Sequence, residues 1–257
     1  MTTLLAASLA TLVFCAPGYP GGAGDAQPLV DDFANAAIAA AGWPSGSLAA
    51  VYDPTEEGGL EKLRSADAVV AFVPYPFYVE HAARLHLTPL VQADVADIGV
   101  QQRWTLVAKA GRVTDPASMA GYTILSVAGY APDFVRHNAL DGWALPGDVK
   151  IEPTGQVLSA LRRVSTGEPV AALLDQTQTA ALPSLPFAKE LNTVRQSPQL
   201  PVALIVVVDS RVAAGRARAL QAGLLKMGHA PGSADTLGAL RLRGFVLPKL
   251  PSPATAR

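Results

Sequence analysis

Apolar runs of strand type alternate along this chain with stretches in which apolar residues recur every three or four positions. Thr11–Cys15 is the first run. It leaves into a loop rich in glycine and proline, after which Leu29, Phe33, Ala36 or Ala37, and Ala40 mark one face of a helix. Asp25 can cap that helix, and Gly42-Trp43-Pro44 ends it. Ser47–Tyr52 predicts a second strand and Leu60–Arg64 a short helix. Ala66–Val73 is a third strand, of the continuous apolar kind that parallel sheets bury on both faces. Pro74-Tyr75-Pro76 then turns the chain, with Pro76 at the first position of a helix running to Leu85. Thr88–Gln92 predicts a fourth strand.

The alternation starts again after Trp104–Ala108. Tyr122–Ser126 and Val149–Glu152 predict strands, with a helix over Pro132–Leu140 between them. Thr154 can cap a helix over Gln156–Val164, whose apolar positions are Val157, Ala160 or Leu161, and Val164; Gly167 stops it before the strand Pro169–Leu174. Pro201–Val208 is β-branched and uncharged, the clearest strand in the chain. A long helix with Leu220, Leu224 and Met227 on one face follows a cap at Asp209 or Ser210, and Ser233 caps a last short helix through Leu240. This pattern predicts an α/β protein of two lobes, the chain crossing through strands Trp104–Ala108 and Val202–Val208. Residues 11–103 with 208–247 make the first lobe, 104–207 the hinge strands and second lobe, and 248–257 a flexible tail.

Two loops echo each other: Ala16-Pro17-Gly18-Tyr19-Pro20-Gly21-Gly22 and Val127-Ala128-Gly129-Tyr130-Ala131-Pro132. Each leaves a strand and enters a helical pattern. Glycine allows close backbone approach, and a helix start offers unpaired N–H groups to a ligand. Tyr19 and Tyr130 can close over a ligand or pack on their own loops, and Tyr75 has the same two roles open to it. Ser126 can donate to a ligand oxygen or serve as a cap. Asp175, with Gln176, ends a strand where open α/β sheets hold ligands, and can equally cap the helix that follows.

Half the residues are hydrophobic, 16% are charged and the formal net charge is −1, which gives no electrostatic footprint for nucleic acid or an anionic membrane. The lone cysteine, Cys15, excludes an internal disulfide and any multi-cysteine metal site, and its strand context makes it a small buried apolar residue. His81 and His86 are poorly spaced for one helix face, and His137 and His229 are isolated, so no metal site is expected. Asp31-Asp32 and Glu56-Glu57 read as solvated turns and helix ends. No nucleophile elbow, phosphate-binding loop, dinucleotide fingerprint or zinc motif is present. The chain offers a place to hold something without machinery to transform it; no cofactor and no enzymatic activity are expected. Leu4–Ala16 is an apolar run short of the roughly 20 residues a membrane span needs, and Ser8-Leu9-Ala10 places small residues as a signal peptidase requires. Residues 1–10 are therefore read as the remnant of an export signal.

Several segments in order resemble the phosphate/phosphonate-type substrate-binding proteins of ABC transporters. They are Leu12–Gly21, Asp115–Tyr122, Gln156–Leu161 with Gly167–Asp175, and Leu224–Met227 with Leu237–Leu240 and Gly244-Phe245. The resemblance implies a type II periplasmic-binding-protein-like fold, two Rossmann-like lobes joined by two hinge strands. It places the ligand loops at Gly18-Tyr19-Pro20-Gly21, at Tyr75, and at Ser126 to Tyr130, including Ala128 and Gly129. It also implies a monomeric periplasmic protein that delivers a small anionic or polar ligand to an ABC transporter permease. A module docking on a sensor kinase is the alternative, and an enzyme on the same fold a third, for which only Asp175 and Cys15 lie near the cleft. Phosphonate binders of the family carry a hydroxyl-rich turn at the second-lobe helix. Here that turn, Ser126–Tyr130, has a single serine, which weighs against a phosphate or phosphonate ligand.

Overall fold

The computed structural model describes residues 9–18, 22–230 and 232–251. In chain order it opens with β1 (Ala10–Cys15), α1 (Ala23–Ala41), β2 (Leu48–Asp53), α2 (Glu56–Arg64), β3 (Ala68–Pro74), α3 (Tyr75–Leu85) and β4 (Leu87–Val95). After the two-residue β5 (Gln101–Gln102) come β6 (Thr105–Lys109), β7 (Thr123–Ser126), α4 (Pro132–Phe134) and β8 (Lys150–Pro153). Next are α5 (Val157–Thr166), β9 (Val170–Leu174), α6 (Gln176–Ala181) and β10 (Leu191–Gln196). The chain returns through β11 (Leu200–Pro201) to β12 (Ala203–Val208), α7 (Ala214–Met227), α8 (Ala234–Ala239) and β13 (Leu242–Val246).

These strands form two mixed sheets, in the orders β13-β4-β12-β3-β1-β2 and β10-β6-β9-β7-β8. β1, β2 and β3 run parallel, as do β7, β8 and β9, so each lobe is built on a βαβ core. The crossing is shorter than the sequence pattern suggests. It consists of β5 and β11, antiparallel, with Leu200 opposite Gln102 and Pro201 opposite Gln101. Ala203–Val208 is instead a central strand of the first sheet between β3 and β4, a position for which its uncharged, β-branched character on both faces suits it. Thr105–Lys109 belongs wholly to the second sheet.

Successive residues of a strand point to opposite faces, and β1 shows the result. Val13 and Cys15 enter a core cluster that continues across the lobe boundary through Tyr75 and Phe77 to Trp104 and Phe134. Leu12 and Phe14 enter a second cluster under α1 and α7, with Phe33, Leu220 and Phe245. The buried face of α1 is Val30, Phe33, Ala34, Ala37 and Ile38, one step from the face drawn through Leu29, which is 36% exposed. From the same helix Gln27 reaches the outer strand β2: its amide nitrogen donates to the Ala50 carbonyl at 2.8 Å and its amide oxygen accepts from the Tyr52 N–H at 3.3 Å.

Other departures have local causes. The helix expected from Leu60 begins at Glu56, because Thr55 accepts from the Gly58 N–H at 3.1 Å; Gly59 lies against Cys15, where a Cβ would collide with the sulfur. Gly22, rather than Asp25, precedes α1, and α7 starts at Ala214, well past Asp209 and Ser210. The helix after Pro132 is only α4 followed by a wider turn over Val135–Ala139. The tail is docked as far as Leu250, which packs on the first cluster, and the Lys249 N–H donates to the Gln92 amide oxygen at 3.2 Å. The segment read as an export signal lies outside the described residues up to Ser8, as do residues 252–257 of the tail.

On α3, His81 is buried between Glu56 and Arg84. Its Nε2 lies 2.8 Å from Glu56 Oε1 and its Nδ1 lies 3.3 Å from an Arg84 nitrogen. Arginine can only donate, so Nδ1 accepts, the ring is neutral and Nε2–H donates to Glu56. Burial, with Arg84 and Arg64 adding to it, lowers the His81 pKa from 6.5 to about 4. The unfolded chain therefore takes up the proton first, and stability falls as pH falls from 6.5 toward 4. His81→Gln, neutral throughout, should lose this contribution, about 3 kcal/mol in wild type between pH 7 and 4. Urea unfolding of both proteins across that range measures it: wild type and variant should converge with acidification, and parallel curves would contradict the assignment.

Candidate functional site

A cavity of about 580 Å³ opens at the C-terminal ends of β1, β3 and β9, the edge at which open α/β sheets hold ligands. The first lobe contributes Cys15, Gly18 and Phe72, the second Val127, Asp175 and Gln178, and the hinge Gln102 and Val202. The two echoing loops meet here. Gly18 has φ +81°, a conformation that favours glycine, and a Cβ on it would stand 2.5 Å from the Val127 carbonyl oxygen. On the other side of this contact lies a smaller space of about 290 Å³, bounded by Thr55 and Glu56 on the first lobe and Tyr130 and Thr154 on the second.

The candidate residues separate on inspection. Gly18 and Asp175 line the main cavity, and Tyr130 the smaller space. Tyr19, Pro20 and Gly21 lie outside the described residues. Tyr75 lines neither space. Its buried ring stacks on Tyr78 and meets Phe134 edge-on at 6.0 Å across the lobe boundary, its N–H donates to the Val202 carbonyl, and burial pushes its hydroxyl pKa up to about 12. This geometry gives Tyr75 the packing role.

Ser126 is buried and its hydroxyl proton is spent within the fold. It donates to the Leu173 carbonyl at 2.8 Å and accepts from the Ala128 N–H at 3.1 Å, tying β7 to β9 and fixing the turn. Ala128 is fully buried. Gly129 is required by crowding alone, since a Cβ there would collide with the backbone of Glu152 and Pro153, and its φ is not in the left-handed region. Gln176 begins α6 beside the cavity, but Thr177 and Gln178 line it.

Asp175 both caps α6 and faces the cavity. Its Oδ1 accepts from the Gln178 N–H at 2.8 Å, while the Gln178 side chain accepts from the Asp175 N–H at 3.2 Å. Burial raises its pKa against the lowering effect of the Gln178 and Thr177 N–H groups. Burial, with Asp53 next, also pushes the Cys15 thiol up, so it stays a thiol, with its sulfur 3.6 Å from the Thr55 carbonyl oxygen. Among the cavity's described lining residues the cation is Arg241, and it is paired with Asp97 at 3.0 Å on the exposed rim. Asp97, Ile98, Leu240 and Arg241 were not legible as site residues: they carry no motif, and a turn and a helix end bring them together.

No group of His, Cys, Asp and Glu suited to a metal ion occurs among the described residues, and no described helix is long and apolar enough to cross a membrane.

No protein-family model matches the chain and no curated protein does. Solved structures do. The Xanthomonas citri protein XAC2383, in its chloride-bound form, superposes with a TM-score of 0.70 at 14% identity over 95% of this chain and 93% of that one. PhnD1 from Prochlorococcus marinus, in complex with methylphosphonate, gives 0.57 at 12% identity over 94% of each chain. A binding-protein component of a phosphonate ABC transporter from Pseudomonas aeruginosa gives 0.56 at 14% identity, over 94% of this chain and 82% of that one. The fold is the two-lobed, type II periplasmic-binding-protein-like one. Its structural neighbours include a binding-protein component of a phosphonate ABC transporter and a protein solved with methylphosphonate.

Ser126→Ala should therefore act on stability. It removes two buried hydrogen bonds, to the Leu173 carbonyl and from the Ala128 N–H, a loss of about 1–3 kcal/mol. Gly129→Ala should cost more, because the strand backbone it strikes cannot move aside. Chemical denaturation checks both; a Ser126→Ala protein as stable as wild type would show that its hydroxyl does not hold the turn.

Proposed function

We propose that this is an exported, periplasmic solute-binding protein, not an enzyme, that holds a small molecule between its lobes and delivers it to an ABC transporter. The observation that carries the reading is the main cavity, walled by both lobes and the hinge at the C-terminal ends of the parallel strands. The likeness in fold to binding components of phosphonate transporters supports the partner class.

The cavity's charge argues for a different ligand from theirs. Asp175 faces the space, the serine of the second-lobe turn is spent internally, and the nearby cation is already paired on the rim. A dianion placed beside a buried carboxylate meets repulsion that low local polarity strengthens. A solute with hydrogen-bond donors, and an amine above all, meets a carboxylate that keeps acceptor capacity beyond its cap. The polar arm of the sequence expectation is thus favoured over the anionic one.

A thermal-shift screen of primary amines and of methylphosphonate tests this. Amines should stabilise the protein, by about 2.7 kcal/mol at 100 times the dissociation constant, and methylphosphonate should not. Asp175→Asn keeps a good helix cap, so the fold is preserved, but it should weaken amine binding about tenfold or more. Stabilisation by methylphosphonate that grows in Asp175→Asn would overturn the cationic preference.

A further inference from the structure

The main cavity is lined by residues of two chemical kinds. It bends over the rim of the first sheet, because Phe14 and Cys15, and likewise Phe72 and Val73, both line it while belonging to core clusters on opposite faces. Asp175, Thr177, Gln178 and Gln102 supply uncharged and acidic polar lining. The cavity's apolar lining includes Phe72, Val95, Ile98, Val202, Ala203 and Leu240, all six half-buried, with the paired Asp97 and Arg241 beside Ile98 and Leu240. What each leaves uncovered faces this one space.

Rigid packing prevents these walls from closing on themselves. Phe72 meets Phe14 edge-on at 5.1 Å and Phe245 edge-on at 6.4 Å, so its ring cannot swing inward. The far wall is pinned as well. The Ala96 N–H donates to the Arg241 carbonyl at 2.8 Å, and the Arg241–Asp97 pair joins the same two segments outside. A preformed apolar recess with an exposed aromatic surface suits a flat ring.

We propose that this recess is a second subsite, which takes an aromatic ring while the ligand's donor group reaches Asp175; the ligand class is an aromatic amine. The inference rests on the solute-binding reading above and adds to it the part of the ligand that sets specificity.

Phenethylamine and ethylamine share the ammonium group and differ in the ring, so the pair isolates the subsite. Calorimetry, with competition for the weaker ligand, should show phenethylamine binding at least about tenfold more tightly, since burying a ring of that size outweighs such a factor. Ala203→Leu fills the recess and Leu240→Asn makes its wall polar. Each should erase most of the preference for phenethylamine, and melting curves identify the variant whose fold is intact. Equal binding of the two amines by wild type would overturn the ring subsite and leave the solute-binding reading standing. A preference that persists in a folded variant would overturn its location. Failure of wild type to bind either amine would remove both the subsite and the amine reading on which it rests.

Discussion

Gly18 and Val127 lie so close that no side chain fits between them, and the arrangement of the cleft follows from that contact. Two backbones from different lobes touch at a point where one of them needs a left-handed conformation, so glycine is the residue that satisfies both demands. The contact splits the space between the lobes into a large chamber and a small one. It also holds the ends of β1 and β7 together, bringing Cys15 and Asp175 to the same cavity from separate sheets.

Behind this contact the lobes share apolar packing. Tyr75, Phe134 and Trp104 belong to one cluster that runs through the boundary, with Trp104 and Phe134 meeting edge-on at 5.3 Å. Glu80 adds a polar stitch, its carboxylate accepting from the Asp133 N–H at 3.0 Å at the start of α4. Burial, and after it Asp133 among the nearby charges, raises the Glu80 pKa, while the N–H groups of Asp133 and Phe134 pull it down. The lobes thus meet through an apolar seam with a capped helix at its edge, and the hinge of two paired residues on each side carries little of the contact.

The fold was largely readable from periodicity. The strands β1, β3, β7, β9 and β12 are apolar runs, and the faces of α5 and α7 recur at helical spacing, so the alternation of strand and helix follows from hydrophobic pattern, while the crossing that the pattern placed on β6 and β12 lies in β5 and β11. What was hidden has physical reasons. β10 is an edge strand with half-buried and exposed residues, Leu191–Gln196, and lacks the alternation that marks a one-sided strand. The first turn of α2 contains Gly58-Gly59, which carries no apolar periodicity, and Gly59 is explained only by the Cys15 sulfur packed against it. In the site, Gly18 and Asp175 could be singled out because a left-handed turn and a helix cap have local signatures. Ser126 and Tyr75 were legible as positions but not as roles, since partners at Leu173 and Phe134 are remote in sequence. The wall made by Ile98, Leu240 and Arg241 has no local signature and exists only in three dimensions.

The amide of Gln27 bears on a different matter. An outer strand ordinarily presents a row of open backbone groups onto which a second chain can add as a further strand. On β2 the Ala50 carbonyl and the Tyr52 N–H are already engaged, by a side chain of the same molecule that imitates one residue of a neighbouring strand. A foreign segment approaching that edge would have to displace a partner tethered beside it. The first lobe can therefore keep a largely apolar outer strand, Leu48–Asp53, whose middle is a poorer template for fibrous association.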